Sequence, residues 1–162
     1  MVFDLYTTPA EEMDAFVGTF NHDAGGFAVP ANGELTVNFD CAFEEDATLL
    51  SMGGHMHNHG SHYQVDILDD SGQLVSPGVY EVDPWTPDMQ YEPVIYNFEP
   101  GEFTVRGGEQ FRTWCSWENR TNRDLSFPDE MCTTFGVAYP APDSLYCIGE
   151  QNPPAQPPPT GN

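Results

Sequence analysis

Apolar and polar residues alternate strictly through "ELTVNFDCAF" (34–43), so Leu35, Val37, Phe39, Cys41 and Phe43 share one face. That period of two belongs to a strand with one buried side. "HYQVDIL" (62–68) groups Tyr63, Val65 and Ile67 in the same way, and "QFRTWCSWE" (110–118) groups Phe111, Thr113, Cys115 and Trp117. "CTTFGVAY" (132–139) is a further candidate strand. Between these runs lie "SPG", "DPWTP", "EPG" and "RGG", which are turn or breaker signals. Asp69-Asp70-Ser71-Gly72 separates two apolar runs and reads more simply as a hairpin turn than as a calcium loop. Short strands with frequent turns predict an all-β fold, an antiparallel sandwich or jelly roll. One exception is Thr8-Pro9-Ala10-Glu11, where a Thr cap, a Pro at the first helical position and a Glu three after the cap predict a short helix near 9–17. The expected organisation is an N-terminal lead over 1–24, a sandwich domain over 25–149 and a tail over 150–162. Five of the seven residues from Pro153 to Pro159 are proline, so the tail is expected to be an extended, unfolded spacer.

Against this pattern, "GGHMHNHGSH" (53–62) stands out, because it holds four of the chain's five histidines. Along a strand His55 and His57 point the same way, roughly 6.6 Å apart at about 3.3 Å per residue. Two imidazoles at that spacing can converge on one ion at about 2 Å each. Surface histidines in a Gly-rich turn are the competing reading of the same stretch. Gly53, Gly54 and Gly60 allow bulges or close backbone approach. His59 and His62 are expected beyond the site, as outer-layer or exposed groups, and His22 as a structural or solvated residue. Zinc, copper and iron all accept imidazole; a thioether as third ligand would favour copper, above all Cu(I). Met56 lies inside the cluster but alternates to the opposite face, and periodicity nominates no distant methionine.

Charge narrows the partners. Twenty-six acidic residues face four basic ones, a formal net charge of −22, with no lysine. Such a chain repels nucleic acid and anionic lipid. It also fits a protein adapted to high salt, where self-repulsion is screened. No apolar run approaches the roughly 18 residues of a membrane span, and no signal segment follows Met1. The four cysteines, Cys41, Cys115, Cys132 and Cys147, form no C-x-x-C pair. An even, widely spaced set points to two disulfides in an extracellular or periplasmic protein.

Several short segments, in order, resemble the C-terminal copper domain of the copper type II, ascorbate-dependent monooxygenases, the family of peptidylglycine α-hydroxylating and dopamine β-monooxygenases. "HMH" (55–57) is similar to the family's His-x-His ligands, and "DEMC" (129–132) to the segment in which a methionine ligand precedes a cysteine. "NFDC", "TWCSW" and "LYCIG" match the context of the other three family cysteines, and the likeness spans roughly residues 25–149. The resemblance implies one copper ion, cycling between Cu(I) and Cu(II), held by His55, His57 and Met131. It implies disulfides Cys41–Cys147 and Cys115–Cys132, and an antiparallel β-sandwich of jelly-roll type. It also implies the partners of the enzyme's dioxygen-activating half: dioxygen, a small-molecule reductant or substrate, and an electron-donor domain or protein.

The chain also departs from the family. Residues 1–24 are too few for the electron-transfer copper domain. The peptide-amidating branch holds its substrate with an arginine, a tyrosine and an asparagine, where this chain has Gly53, Phe135 and Thr133. Recognition of a peptide carboxylate is therefore not expected. The sequence leaves two readings open: half of a copper monooxygenase, or a non-catalytic exported copper carrier or structural surface module.

Overall fold

The computed structural model describes residues 8–13, 16–139 and 145–152. Its strands are β1 (Gly18–Ala24), β2 (Gly33–Ala42), β3 (Ala47–His55), β4 (Gly60–Leu68), β5 (Leu74–Val82), β6 (Ile95–Asn97), β7 (Thr104–Val105), β8 (Gln110–Asn119), β9 (Thr133–Tyr139) and β10 (Leu145–Gly149). One sheet runs β10-β1-β9-β3-β6, with β7 also on β3; the other runs β2-β8-β4-β5. The two sheets pack as the all-β sandwich that the alternation predicted.

The four strands read from the sequence are β2, β4, β8 and β9, and the first three supply a large share of the core. Val37, Phe39, Cys41, Tyr63, Val65, Ile67, Phe111, Cys115 and Trp117 are all buried. β2 and β4 flank β8 in antiparallel registers, continuous with β2 and shifted once with β4 between Gly60 and His62, with Val37 and Tyr63 both opposite Cys115. A buried hydroxyl chain crosses between the sheets. Tyr63 Oη lies 2.6 Å from Thr134 Oγ1, which lies 2.6 Å from Thr113 Oγ1. Both polar partners are thereby satisfied inside the core.

Four local expectations change. The sandwich takes in the end of the N-terminal lead, because β1 lies between β9 and β10. Its pairing with β10 is parallel, so the sandwich is not purely antiparallel. "SPG" does not end a strand. Ser76-Pro77-Gly78 sits within β5 at a register shift, and the Gly78 N–H donates to the buried Asp66 carboxylate at 2.8 Å. At the N-terminus the predicted helix is a single 3-10 turn, Ala10–Glu12, with Pro9 at the cap and no side-chain capping bond from Thr8. The rest of that helix prediction touches residues outside those described, as does the Pro-rich tail from Pro153 onward.

The hairpin turn is as expected. Asp69 Oδ1 accepts from Ser71 N–H, Ser71 Oγ–H and Gln73 N–H, and Gly72 takes a positive φ of 80°. Two disulfides close the fold: Cys41–Cys147 links β2 to β10, and Cys115–Cys132 links β8 to the residue before β9. Their loops span 106 and 17 residues. On a chain-entropy estimate they contribute nearly 5 and about 3 kcal/mol. No helix among the described residues is long and apolar enough to cross a membrane.

Candidate metal centre

β3 ends at His55 and β4 begins at Gly60, so the histidine cluster is the connection between the two sheets. Met56 is fully buried, which turns His55 and His57 together to the other side. Their ring centroids are 5.1 Å apart and nearly perpendicular. The two glycines ahead of the pair serve close approach. A Cβ on Gly53 would meet Ile95 at 2.6 Å and Phe135 at 2.8 Å, and one on Gly54 would meet the Tyr63 ring at 2.5 Å. No larger side chain fits at either position, so β3 lies tight against the core just before His55.

The turn is fixed from outside by the segment before β9. Glu130 is fully buried. Its carboxylate accepts from His57 N–H at 3.0 Å, His59 N–H at 2.8 Å and Trp117 Nε1–H at 3.0 Å. A buried carboxylate with three donors is compensated rather than stranded. The His57 carbonyl in turn accepts from Trp85 Nε1–H at 3.1 Å. Sequence reasoning did not single out Glu130, although it stands beside Met131 in "DEMC".

The same segment, which carries Met131, is tied to the histidines on either side of that residue. His57 Nδ1 lies 3.0 Å from the Asp129 carbonyl, and His55 stands opposite Thr133 in the β3–β9 register. Met131 therefore sits between two residues that each contact one of the histidines. Cys132 anchors it through its disulfide to Cys115, and Ala24 N–H donates to the Cys132 carbonyl at 2.9 Å. Arg123 braces the other side by a bidentate pair with Asp129, which holds that carboxyl below its usual range.

Met131 lines a pocket of about 310 Å³ with Asp23, Phe27, Phe127, Tyr146 and Ile148. Asp23 is held there by Thr133 Oγ1–H at 2.5 Å and Asn21 Nδ2–H at 2.8 Å. Burial is the main cause that lowers the His55 pKa from its ordinary value; the neighbouring His57 adds to this and Asp23 opposes it. A neutral imidazole is the form that ligates a metal.

The remaining histidines separate from this pair. His59 shares Glu130 with His57 through its backbone N–H. His62 does not stand behind His55 and His57. Its Nε2 lies 3.1 Å from Glu81 Oε1 on β5, and with His59 it lines a different groove that includes Trp85 and Arg120. His22 is buried, neither solvated nor near the cluster, among Phe20, Phe43 and Phe111.

Two imidazoles are brought together, and the segment that carries Met131 is bonded to their turn through Asp129 and Glu130. His57 has the posture of a metal ligand. When Nδ1–H donates to the Asp129 carbonyl, the Nε2 lone pair is left for an ion and the ring is oriented by the backbone. A scan against models of known protein families finds no match, and a search of curated proteins finds no significantly similar one.

Proposed function

We propose that this chain is an exported, mononuclear copper-binding domain whose ligands are His55, His57 and Met131. The observation that carries the reading is the clamp between "HMH" and "DEMC". Residues 71 to 73 apart in sequence meet because His57 Nδ1 bonds to the Asp129 carbonyl and Glu130 binds the turn's backbone. The two disulfides support an oxidising compartment. Copper, when bound, supplies one-electron redox chemistry and a binding place for dioxygen. The protein's part is to hold two neutral imidazoles and the thioether in place and to offer a largely apolar pocket beside Met131.

Catalysis as the dioxygen-activating half of a monooxygenase is the first form of this proposal, with electrons from an ascorbate-like donor through a partner domain. Phe135 favours the second form, a copper carrier. Its ring packs over Gly53, where the peptide-amidating enzymes have substrate-holding groups, and leaves no polar group for a peptide carboxylate.

Titration with Cu(I) and Cu(II) tests the site. His55→Ala and His57→Ala should each weaken both states by at least about tenfold. Met131→Ile, which keeps bulk and removes sulfur, should weaken Cu(I) more than Cu(II). Unchanged binding in both histidine variants would remove the assignment. Oxygen uptake with ascorbate separates the two forms. One copper stores one electron and hydroxylation consumes two, so the chain alone should pass single electrons from ascorbate to dioxygen, giving superoxide that dismutates to peroxide, rather than hydroxylated product.

A further inference from the structure

A second group of ligating side chains lies on the outer face of the β2-β8-β4-β5 sheet, and it involves neither His55 nor His57. The register Tyr63 opposite Val82 and Gln64 opposite Glu81 brings His62 of β4 beside Glu81 of β5 and Asp83 just beyond it. Asp83 lies in the bend directly after β5, two residues beyond Glu81. The donor atoms of His62, Glu81 and Asp83 all lie within 4.8 Å of one another. The tightest contact is His62 Nε2 to Glu81 Oε1, at 3.1 Å.

Tetrahedral coordination with bonds of about 2.0–2.1 Å places neighbouring donors about 3.4 Å apart. The His62–Glu81 contact is already near that spacing, and Asp83 is an exposed side chain that needs to shift by at most about 1.5 Å to complete the set. Electrostatics favours a cation here. Among the described residues the arginine ion pairs are Arg112–Asp40, Arg120–Glu118 and Arg123–Asp129, and none reaches Glu81 or Asp83. Two carboxylates on a strongly acidic chain thus meet an imidazole, and no arginine neutralises them.

We infer that His62, Glu81 and Asp83 form a second metal site, for a divalent ion of the zinc class. One borderline nitrogen with two hard oxygens and no sulfur suits Zn(II) and its divalent neighbours, and does not suit Cu(I). The two sites therefore differ in softness as well as in place. Three protein ligands leave a fourth position for water or an exogenous ligand. His62 and Asp83 also line the groove that holds His59, Trp85 and Arg120, so that position lies at the edge of a cleft of about 700 Å³.

The test is equilibrium dialysis against Zn(II) alone, with millimolar Mg(II) present to occupy the diffuse acidic surface. In the His55→Ala/His57→Ala double variant one zinc per chain is expected, with a raised melting temperature. Adding His62→Ala, Glu81→Gln or Asp83→Asn should weaken that zinc by at least about tenfold. The wild-type chain gives an independent reading: its zinc stoichiometry should fall by one on His62→Ala alone. No zinc retained by a folded double variant, or zinc retained equally with and without His62 and Asp83, would overturn the site. Because His55 and His57 are absent from the first arm, this result stands or falls separately from the copper reading.

Discussion

His22 is a titratable residue placed where a phenylalanine would fit. Its ring meets those of Phe20, Phe43 and Phe111 tilted or edge-on at centroid distances of 5.4–6.0 Å, and neither ring nitrogen has a hydrogen-bond partner among the described residues. Burial pushes its pKa down from 6.5 to about 4, against a small upward pull from Asp23. The unfolded chain therefore takes up a proton near pH 6.5 that the folded chain refuses until about pH 4. A lowered folded pKa on a base means that stability is lost as pH falls through this window, by on the order of 3 kcal/mol in all. Replacing His22 with Leu should remove that part of the acid sensitivity. Denaturant unfolding at several pH values should show the stability gap between variant and wild type widening below pH 6.5. A gap of constant size would mean that His22 does not govern the acid limb. The burial of this histidine could not be read from the sequence, since a polar residue in "GTFNHDA" masks the inward face of β1.

At the scale of elements, the candidate centre is a junction between the β3–β4 turn and the segment that leads into β9. Glu130 makes that junction, with two backbone donors from the turn and one indole donor from β8. Glu130→Gln keeps the shape but turns an amide NH₂ toward N–H donors. Hydrogen bonds to a charged acceptor contribute about 1.5–3 kcal/mol each, so a stability loss of about 3 kcal/mol is expected in urea unfolding of the metal-free chain. Copper affinity should fall ten- to a hundredfold in parallel, as for other groups that orient ligands. Normal affinity in a destabilised variant would show that Glu130 supports the fold without orienting the turn. Element recognition failed for related reasons. β5 carries a breaker inside it and exposes Leu74 and Val75, while β10 exposes Tyr146 and Ile148. Only the end of β5, with Tyr80 and Val82 buried about an exposed Glu81, shows the alternation that revealed β2, β4 and β8.

Across the whole molecule, 22 uncompensated negative charges repel one another. That repulsion is screened over about 8 Å at physiological ionic strength and about 3 Å at 1 M. The melting temperature should therefore rise as sodium chloride is raised from dilute buffer to molar concentration. A flat or falling curve would count against adaptation to high salt.

The sequence by itself determined the fold class, because a period of two repeated over several runs allows little besides a sheet with a buried face. It also determined the charge, which no folding alters, and the pairing of histidines at 55 and 57, because alternation puts i and i+2 on one side. The cysteine pairs and Met131 were legible only through resemblance, since no local spacing links residues 17 to 106 positions apart. Tertiary structure alone decided what stands around those residues. Glu130 acquires its role from donors on β8 and on the β3–β4 turn. His62 meets Glu81 because of the β4–β5 register, and β1 joins the sandwich through β9 and β10. Each of these depends on contacts between distant segments, and a one-dimensional pattern records only neighbours along the chain.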